Sequence, residues 1–409
     1  MNKTYRGEDN LADKNRTKKL LLLGGGYAEI PLIKAAQKQG YYVITTGNQR
    51  EGLGHNISDK FIEEDFSDKE KMLQLARDNH VSAICSGCND FALLSTAYVA
   101  EQLGFKGHDS YETSLTLHHK DRYRSFAEKY NIATPKSVKC YRTEEIEILT
   151  ETFTYPVIVK PVDLSGGKGI KHCYNLEELK EAFVIAMSVT RIDYVIIEEF
   201  LEGTNHGFSA MIQDEKVTFY FVDNEQYFLN KYLVSGAITP TSVSKEVVKK
   251  IIMYAEKISQ ILNLVDGILH IQFILDKSNE PTIIEICRRA PGDLYIRLVE
   301  LATGFDYPTA IMNAETGVII PPYKFFEPQD YWIRHCIMGK QAGRIKSISI
   351  SDQVKDTVVE KMIWGEKGQY VEQYLTYKAG IIFLRFYELD KLENFSDVLN
   401  ELITIEFEI

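Results

Sequence analysis

The segment Tyr155–Ile170, with the sequence YPVIVKPVDLSGGKGI, constrains the fold of this chain more than any other feature. Its first half contains three consecutive β-branched residues at positions 157–159, which predict a buried strand. Pro161 cannot donate a hydrogen bond within a sheet, so we expect the strand to end at Lys160. The segment therefore predicts an ammonium group that is held at the end of a strand.

The second half of this segment is rich in glycine. Gly166, Gly167 and Gly169 have no Cβ, which allows backbone N–H groups to turn toward one anion. Ser165 and Lys168 can add a hydroxyl and a second ammonium group. The pattern differs from G-x-x-x-x-G-K-[ST] before a helix, because here the glycines lie between two strands. We therefore expect a hairpin flap that covers the phosphates of a polyphosphate ligand.

Three further parts of the chain carry polar side chains in a fixed order. Lys120 lies in the sequence HHKDRYR, and residues 195–202, VIIEEFLE, predict a strand followed by a hinge. Residues 270–273, HIQF, and 282–289, TIIEICRR, predict two strands, and the turns that precede them favour antiparallel neighbours. These two strands carry Gln272 and Glu285, whose side chains could share one site.

Taken in this order, these segments resemble the ATP-grasp superfamily across about residues 20–320. The last two strands are similar to those that present magnesium ligands in biotin carboxylase and in the large subunit of carbamoyl-phosphate synthetase. The resemblance implies an α/β chain with the ATP-grasp fold. It also implies that ATP contacts Lys120, Lys160, Ser165, Gly166, Gly167, Lys168, Gly169, Glu198, Glu199, Phe200, Leu201 and Glu202.

The same resemblance implies a metal site that Gln272 and Glu285 supply. Magnesium is a hard cation that takes few ligands from a protein and the rest from phosphates and water, and Mn²⁺ is the alternative metal. Glu285 would bridge two ions. Cys287 stands where the family commonly has asparagine, and a thiol is a poor ligand for magnesium. Either the second ion binds more weakly, or another oxygen replaces this ligand.

An arginine follows the implied metal ligands. Arg289 matches the family arginine that points at the acyl phosphate or the substrate carboxylate, and it joins Lys160 and Lys168 as an implied catalytic group. Arg288 and Arg297 are alternatives for this role. Arg289 could instead form a structural ion pair with a nearby acidic residue, for which Glu285 and Asp293 are the candidates. Many relatives also have a glutamate at residues 205–207 that holds the ribose. This chain has NHG there, so we assign the contact with the ribose to Glu202.

The N-terminal part of the chain alternates between strand and helix patterns. Residues 20–23 and 43–46 predict strands, residues 67–78 predict a helix, and residues 81–85 predict another strand, so we expect a doubly wound parallel sheet. A dinucleotide enzyme is disfavoured, because the glycines run GGGYAE and the second strand ends without an acidic residue. Two interpretations remain open for the polar and glycine residues at these strand ends, which are either turn and cap residues or the lining of a second-substrate pocket. They are Gly25, Gly26, Tyr27, Glu29, Asn89 and Asp90.

These patterns predict four parts of the chain. Residues 1–18 are expected to be a disordered tail, and residues 19–117 an N-terminal α/β domain of the type that precedes ATP-grasp domains. Residues 118–324 would form the ATP-grasp domain, with a lid at about 135–203. Residues 325–409 would form a small, β-rich C-terminal α+β domain, which resembles the terminal domain of L-amino-acid ligases.

Composition excludes several classes of partner. The net charge of −11 disfavours a nucleic acid, and no apolar run approaches the ~20 residues of a membrane span. The six cysteines show no pairing framework, and the lone C-x-x-C at 85–88 is either a strand end with a tight turn or a metal or redox motif. We expect a cytoplasmic protein with small-molecule substrates, for which a homodimer is one allowed assembly.

The function that these expectations favour is ATP-dependent ligation. A carboxylate would be activated as an acyl phosphate, ADP and phosphate would be released, and an amine would attack the activated group. Positioning and charge stabilisation carry most of the catalysis in such transfers. The alternatives are carboxyphosphate chemistry on bicarbonate and a non-catalytic nucleotide-binding protein.

Overall fold

A parallel four-stranded sheet forms the N-terminal part of the computed structural model, which describes residues 17–149, 153–164, 166–319 and 321–408. Its strands lie in the order β3-β2-β1-β4 and pair in parallel, which confirms the expected doubly wound sheet. Strand β3 was not predicted. The elements are β1 (Lys18–Leu23), α1 (Ile30–Lys38), β2 (Tyr41–Gly47), β3 (Lys60–Glu63), α2 (Lys69–Asp78), β4 (Ala83–Cys85), α3 (Asp90–Leu103) and α4 (Tyr111–His118).

Two features of this part bear on the sequence predictions. The tail predicted over residues 1–18 lies outside the described residues except for its last two, and Lys18 already belongs to β1. The C-x-x-C ends β4 and enters a turn in which Gly87 has a φ of 60°. A Cβ on Gly87 would lie 2.4 Å from the carbonyl oxygen of Leu23, so the turn requires glycine.

A second, antiparallel sheet carries the glycine-rich segment. Its order is β5-β8-β6-β7, and β6 pairs directly with β7, so residues 162–170 connect a hairpin, as predicted. Strand β6 includes Pro161, one residue beyond the predicted end. The elements are α5 (Lys120–Lys129), β5 (Ser137–Cys140), α6 (Ile146–Leu149), β6 (Val157–Pro161), β7 (Lys171–Cys173), α7 (Leu176–Val189) and β8 (Val195–Glu199).

The central sheet has eight strands in the order β13-β12-β9-β10-β11-β14-β18-β16. Its first five strands come from the middle of the chain, and Gln272 on β12 lies opposite Glu285 on β13. Directly opposed residues in an antiparallel pair point to the same face, so this register places both side chains together. The elements are β9 (Thr204–Gln213), β10 (Lys216–Tyr227), β11 (Val234–Thr239), α8 (Lys245–Leu262), β12 (Gly267–Leu275), β13 (Pro281–Cys287), α9 (Tyr295–Thr303) and α10 (Tyr307–Glu315).

The C-terminal residues extend the same sheet. Strand β14 pairs with β11, so three C-terminal strands continue the central sheet, while β17, β15 and β19 form a separate three-stranded sheet. The sequence of residues 354–361 predicts one strand, which is wrong at its start, because a short helix ends at Lys355 and the strand covers Val358–Ile363. The elements are β14 (Tyr331–Ile337), β15 (Gly343–Ile350), α11 (Asp352–Lys355), β16 (Val358–Ile363), β17 (Tyr370–Val371), β18 (Gly380–Phe386), α12 (Leu389–Ser396), α13 (Leu399–Leu402) and β19 (Ile403–Phe407).

The largest apolar core joins the N-terminal and central sheets. It packs α1 and strands β1 and β2 against α9, α10 and the inner face of the central sheet. A second core packs α8 and α5 onto the opposite face of that sheet. None of the helices in the described part of the chain is long and apolar enough to span a bilayer.

Candidate active site

A cleft of about 810 Å³ opens between the sheet β5-β8-β6-β7, called the lid sheet below, the central sheet and the start of α3. The lid sheet contributes Lys160 and the hinge at 199–203, and the central sheet contributes Gln272 and Glu285. The N-terminal domain adds residues 88–90 at the start of α3. The cleft therefore draws its walls from segments that are far apart in the sequence.

Most of the residues that the sequence singled out line this cleft. Those in its wall are Lys120, Lys160, Gly166, Gly167, Glu199, Phe200, Leu201, Glu202, Gln272, Glu285 and Arg289. Asn89 and Asp90 also line it, whereas the other four N-terminal candidates, Gly25, Gly26, Tyr27 and Glu29, do not. Ser165 lies outside the described residues. A direct contact of any of these residues with a nucleotide stays a prediction.

Three predicted residues lie outside the cleft wall. Lys168 is exposed on the flap, and Gly169 packs beside α7, where a Cβ would lie 2.7 Å from Val189. The side chain of Glu198 is fully buried. Successive residues of a strand point to opposite faces, so only one of Glu198 and Glu199 can face the cleft. The sequence pattern alone did not show which one.

Glu198 is the counter-ion of two cations. Lys160 Nζ lies 2.6 Å from its Oε2 atom, and Arg124 Nε donates a hydrogen bond of 2.8 Å to its Oε1 atom. Burial alone would raise the pKa of Glu198, but Arg124 and Lys160 lower it below the usual value. Arg124 also donates to the carbonyl oxygen of Ile284, next to Glu285. This triad holds Lys160 in place and links the lid to the central sheet.

Lys120 begins α5 and reaches toward the flap. Its Nζ donates a hydrogen bond of 2.7 Å to the carbonyl oxygen of Leu164 and lies 3.7 Å from Oε1 of Glu285. Its side chain is almost completely buried. The sequence could not predict that Lys120 connects the flap to Glu285, because these groups come from three separate segments.

The hinge presents an aromatic surface. The ring of Phe200 stacks on His172 with centroids 3.7 Å apart, and the ring of Tyr174 is tilted against the same histidine with centroids 4.4 Å apart. Glu199 accepts a hydrogen bond from the backbone N–H of Lys136, which fixes the side chain. Flat aromatic rings next to backbone N–H and C=O groups are suited to binding a planar nucleobase. His172 and Tyr174 were missed by the sequence interpretation.

The paired strands β12 and β13 present oxygen donors. Gln272 and Glu285 both line the cleft, and Gln272 Nε2 donates a hydrogen bond of 2.5 Å to Glu225 Oε1. Over the described residues, no three histidine, cysteine, aspartate or glutamate side chains come together as a metal site. Two or three oxygens from the protein fit magnesium, which keeps phosphate and water ligands. Glu225 is the oxygen donor that could replace the missing asparagine.

Cys287 ends β13 and lines the cleft. Its side chain is buried, and burial raises the pKa of the thiol to about 11. The Cys287 sulfur is therefore protonated at neutral pH, and only a thiolate is a good metal ligand. Sulfur is in addition a soft donor, so we expect Cys287 to be a poor ligand for magnesium.

We expect Cys287→Asn to lower the magnesium concentration that gives half-maximal ATP hydrolysis, because an amide oxygen would join Glu285 at the metal. The maximal activity should stay the same or rise. Magnesium titrations of both proteins at fixed ATP would measure this shift. Cys336→Ala, which removes another buried thiol on β14, is the matched control. Loss of folding in Cys287→Asn, seen as a fall in Tm, would mean that this position only packs.

Arg289 is paired in a way the sequence did not predict. Its Nε donates a hydrogen bond of 2.8 Å to Asp90 Oδ1 at the start of α3. Burial opposes the charge of Arg289, but Asp90 outweighs it and raises the pKa above the usual value. Arg288 pairs with Asp109, away from the cleft. The ion pairs expected with Glu285 or Asp293 are replaced by the pair with Asp90.

Arg297, the other alternative, is also committed elsewhere. Its guanidinium pairs with Glu360 at 2.7 Å and with Glu300. Arg289 is thus the one of these three arginines that lines the cleft. Its Nη1 atom also donates a hydrogen bond of 2.9 Å to the carbonyl oxygen of Ala290, and its place in the cleft wall lets the remaining N–H groups contact a carboxylate.

Strand β10 carries the clearest residues that the sequence interpretation missed. Asp223, Glu225 and Tyr227 all line the cleft. Burial and then the charge of Glu225 raise the pKa of Asp223 to about 8, and burial also raises the pKa of Glu225. The alternating sequence pattern predicts two strands over residues 208–222 only, so this prediction stops one residue before Asp223. Continuing its period of two by five residues would have placed these three side chains on one face.

The flap is expected to gain order from a ligand. Gly167 has a φ of 74°, and a Cβ there would lie 2.7 Å from Tyr232, whereas Gly166 is exposed. We expect amide exchange at residues 166–170 to be fast without ligand and slower with MgATP. Mass-spectrometric hydrogen exchange measures this, with β6 as the internal reference. Slow exchange without ligand that ATP does not change would contradict the prediction.

The comparisons with known proteins agree with this geometry. Residues 119–317 match the family "Carbamoyl-phosphate synthase L chain, ATP binding domain". The chain is 23% identical over 291 residues to the C-terminal section of the carbamoyl phosphate synthase large chain of Methanopyrus kandleri, which covers 66% of this chain and 53% of that protein. The chain spans about half or less of the length of the curated relatives it matches.

Solved structures share the fold across nearly the whole chain. The L-amino acid ligase from Bacillus licheniformis has a TM-score of 0.80 at 19% identity, over 96% of this chain and 100% of that chain. The biotin carboxylase domain of the Hydrogenobacter thermophilus 2-oxoglutarate carboxylase has a TM-score of 0.77 at 17% identity, over 95% and 90%. That domain is a dimer in complex with MgADP, ADP and bicarbonate.

The family match begins just before Lys120 and includes the flap, the hinge and strands β12 and β13. The shared fold extends the likeness to the N-terminal and C-terminal parts. The resemblance seen in the sequence is therefore confirmed: residues 119–317 are similar to the ATP-binding domain of the carbamoyl-phosphate synthase L chain, and nearly the whole chain shares the fold of L-amino acid ligase and biotin carboxylase.

Proposed function

We propose that this chain is an ATP-dependent, ADP-forming ligase that activates a carboxylate as an acyl phosphate for attack by an amine. One observation carries the proposal: a single cleft unites two buried lysines, an oxygen pair suited to magnesium, and an arginine. Lys120 and Lys160 supply positive charge for phosphates, and Arg289 supplies a fork for a carboxylate. These groups come from α5, from the lid sheet, and from the central sheet with the residues that directly follow β13, and meet only in the folded chain.

Gln272 and Glu285 would hold magnesium, with Mn²⁺ as the alternative ion. The donor set supports this assignment, because it consists of oxygens on one face of paired strands. Bound magnesium would reduce the negative charge of the phosphates during transfer. Titrating activity with each metal in turn would distinguish Mg²⁺ from Mn²⁺.

The side chains of this chain divide the remaining work. Lys160 is held by Glu198 before any ligand arrives, so its charge needs no reorganisation during transfer. Arg289, held by Asp90, would orient the carboxylate, whose oxygen attacks the γ-phosphorus as ADP leaves. The amine nitrogen then attacks the acyl carbon, phosphate leaves, and the nitrogen loses a proton. The flap would exclude water from the acyl phosphate.

Carboxyphosphate formation from bicarbonate is the second candidate. Its support is the match of residues 119–317 to a carbamoyl-phosphate synthase domain and the bicarbonate in the biotin carboxylase neighbour. A non-catalytic nucleotide-binding protein is the third candidate. Its support is Cys287, which stands where the family commonly has an asparagine that binds magnesium. Glu225 weakens that argument, because it supplies an oxygen beside Gln272.

Trapping with hydroxylamine tests the proposed reaction. The protein is incubated with MgATP and each member of a carboxylic acid panel that includes the proteinogenic amino acids, and the hydroxamate and ADP are measured. We expect one acid to give hydroxamate together with ADP. Release of AMP and pyrophosphate would mean adenylation and would overturn the proposal, whereas ATP hydrolysis that depends on bicarbonate alone would favour the second candidate.

We also propose small-molecule substrates and a homodimer. The volume of the cleft suits small ligands, and the biotin carboxylase neighbour forms a dimer. Light scattering coupled to gel filtration would measure the assembly. A monomer mass across the working concentration range would contradict the dimer.

A further inference from the structure

Asp223 occupies a space that a glycine leaves open. It lies on β10 directly opposite Gly207 on β9. A Cβ on Gly207 would come within 2.5 Å of Asp223 Oδ1, so any larger residue would displace the carboxylate. The glycine therefore fixes where this carboxylate lies.

Only one of the two carboxylate oxygens of Asp223 accepts a hydrogen bond among the described residues. Its Oδ1 atom accepts a hydrogen bond of 2.5 Å from the hydroxyl of Tyr295. Its Oδ2 atom is buried and has no hydrogen-bond partner among the described residues, and the residue is only 1% exposed. A buried carboxylate oxygen without a donor is costly unless something else completes it. Since Asp223 lines the cleft, a ligand in the cleft is able to do so.

The surrounding charges favour a cation. Glu225 lies two residues along the same strand and therefore on the same face as Asp223. Arg334 is the cation that faces this pair, but its Nη1 atom already donates to the carbonyl oxygen of Asp293 and to the sulfur of Cys336. Among the described residues no cation forms an ion pair with Asp223, and a cation bound beside it would favour the ionised carboxylate against the burial that raises its pKa.

An ammonium group fits this position better than a metal ion. Beside Asp223, the ring of Tyr295 is flanked by the rings of Phe221 and His270, with centroids 5.9 and 5.3 Å away. Magnesium needs several oxygen ligands around it, whereas an ammonium group can bind to a single carboxylate in a partly aromatic surrounding. Glu225 turns toward Gln272, and Asp223 toward Tyr295, so the two carboxylates serve different neighbours.

We propose that Asp223 binds the ammonium group of the amine substrate through its Oδ2 atom. The amine is then a compact primary amine that arrives as a cation, such as an amino acid, and that passes one proton to Asp223 or to water before its nitrogen attacks. Tyr295 and Gly207 are positioning residues, since they hold the carboxylate and do not touch the amine. The inference rests on the proposed function and names the class of its second substrate.

The kinetic test compares Asp223→Asn with the unchanged protein. Proteinogenic amino acids and ethanolamine are screened for faster ADP release with the acid found by trapping. For the amine that works, we expect Asp223→Asn to raise its KM about 10- to 100-fold, the effect of losing a hydrogen bond to a charged group. Hydroxylamine is uncharged at neutral pH, so trapping with it should change less than about twofold.

Two further variants make the result specific. Tyr295→Phe removes only the hydroxyl and should raise the KM of the amine by a smaller factor. Asp214→Asn is the matched control, because Asp214 is exposed in the turn of the same hairpin and has a positive φ that asparagine accepts. An unchanged KM for the amine in Asp223→Asn would overturn the proposal. Equal weakening of the amine reaction, of trapping with hydroxylamine and of MgADP binding would overturn it as well.

A binding measurement separates this inference from the proposed function. Ligand-observed NMR with methylammonium chloride needs no turnover, and methanol is the uncharged control probe. We expect methylammonium to bind the unchanged protein and Asp214→Asn, and to bind Asp223→Asn at least about tenfold more weakly. Equal binding to all three proteins would refute the role of Asp223 even if hydroxamate forms. Absence of hydroxamate with intact binding would refute only the proposed ligation.

Discussion

Replacing Lys160 with alanine is expected to lower kcat for ATP turnover by about 100- to 1,000-fold. Removing one preorganised contact to developing charge costs about 2.7–4 kcal/mol of transition-state stabilisation. The structure adds a second effect, since Lys160 neutralises Glu198, which is fully buried. Breaking a buried ion pair from one side costs about 3–5 kcal/mol, so the free energy of unfolding should also fall. Steady-state kinetics and thermal melting measure both effects.

A matched control separates catalysis from folding. Lys171 lies on β7 of the same sheet and pairs with Glu181 at 3.1 Å on the surface. Lys171→Ala should leave both kcat and Tm nearly unchanged, because exposed ion pairs contribute little to stability. The variant Glu198→Gln removes the charge but not the lysine, and we expect it to lower the affinity for MgATP. Full activity in Lys160→Ala would refute the assignment of this lysine to the phosphates.

The parts of the site that could be predicted from sequence are those that local pattern defines. The β-branched run before Lys160, the glycines after it, and the alternation around Gln272 and Glu285 each occupy one short segment. Such segments fold into a strand, a hairpin or a pair of neighbouring strands for local reasons. The register of the last pair then follows from the turn between them. These features did not need knowledge of distant contacts.

The parts that could not be predicted depend on contacts between distant segments. Asp90 and Arg289 are 199 residues apart, and nothing in either local sequence identifies the other. Arg334 reaches the cleft because β14 pairs with β11, which makes the C-terminal strands part of the central sheet. Local patterns specify strands but not which strands become neighbours. Asp223 differs from these residues, because extending the alternating strand pattern of β10 by a few residues would have identified it.

Replacing Arg289 with lysine is expected to affect the acid far more than ATP. Lysine keeps a positive charge beside Asp90, so the buried ion pair and the fold should survive, but the planar fork that can hold a carboxylate through two hydrogen bonds is lost. Hydrogen bonds to charged groups contribute about 1.5–3 kcal/mol, which corresponds to a rise of about 10- to 100-fold in the KM of the acid or an equal fall in kcat. The affinity for MgATP should change less than about twofold. Substrate titrations with hydroxamate as the product measure the first effect, and calorimetric binding of MgADP measures the second.

The control for Arg289 is Arg297→Lys, because Arg297 has the same side chain but pairs with Glu300 and Glu360 away from the cleft. It should leave the KM of the acid unchanged. If Arg289 served only the structural pair with Asp90, its replacement by lysine would also leave KM unchanged, and any loss would appear in Tm instead. A selective rise in the KM of the acid at constant Tm is therefore the result that a purely structural role cannot produce. Equal loss of affinity for the acid and for MgADP would instead place Arg289 on the nucleotide and would contradict the proposed carboxylate site.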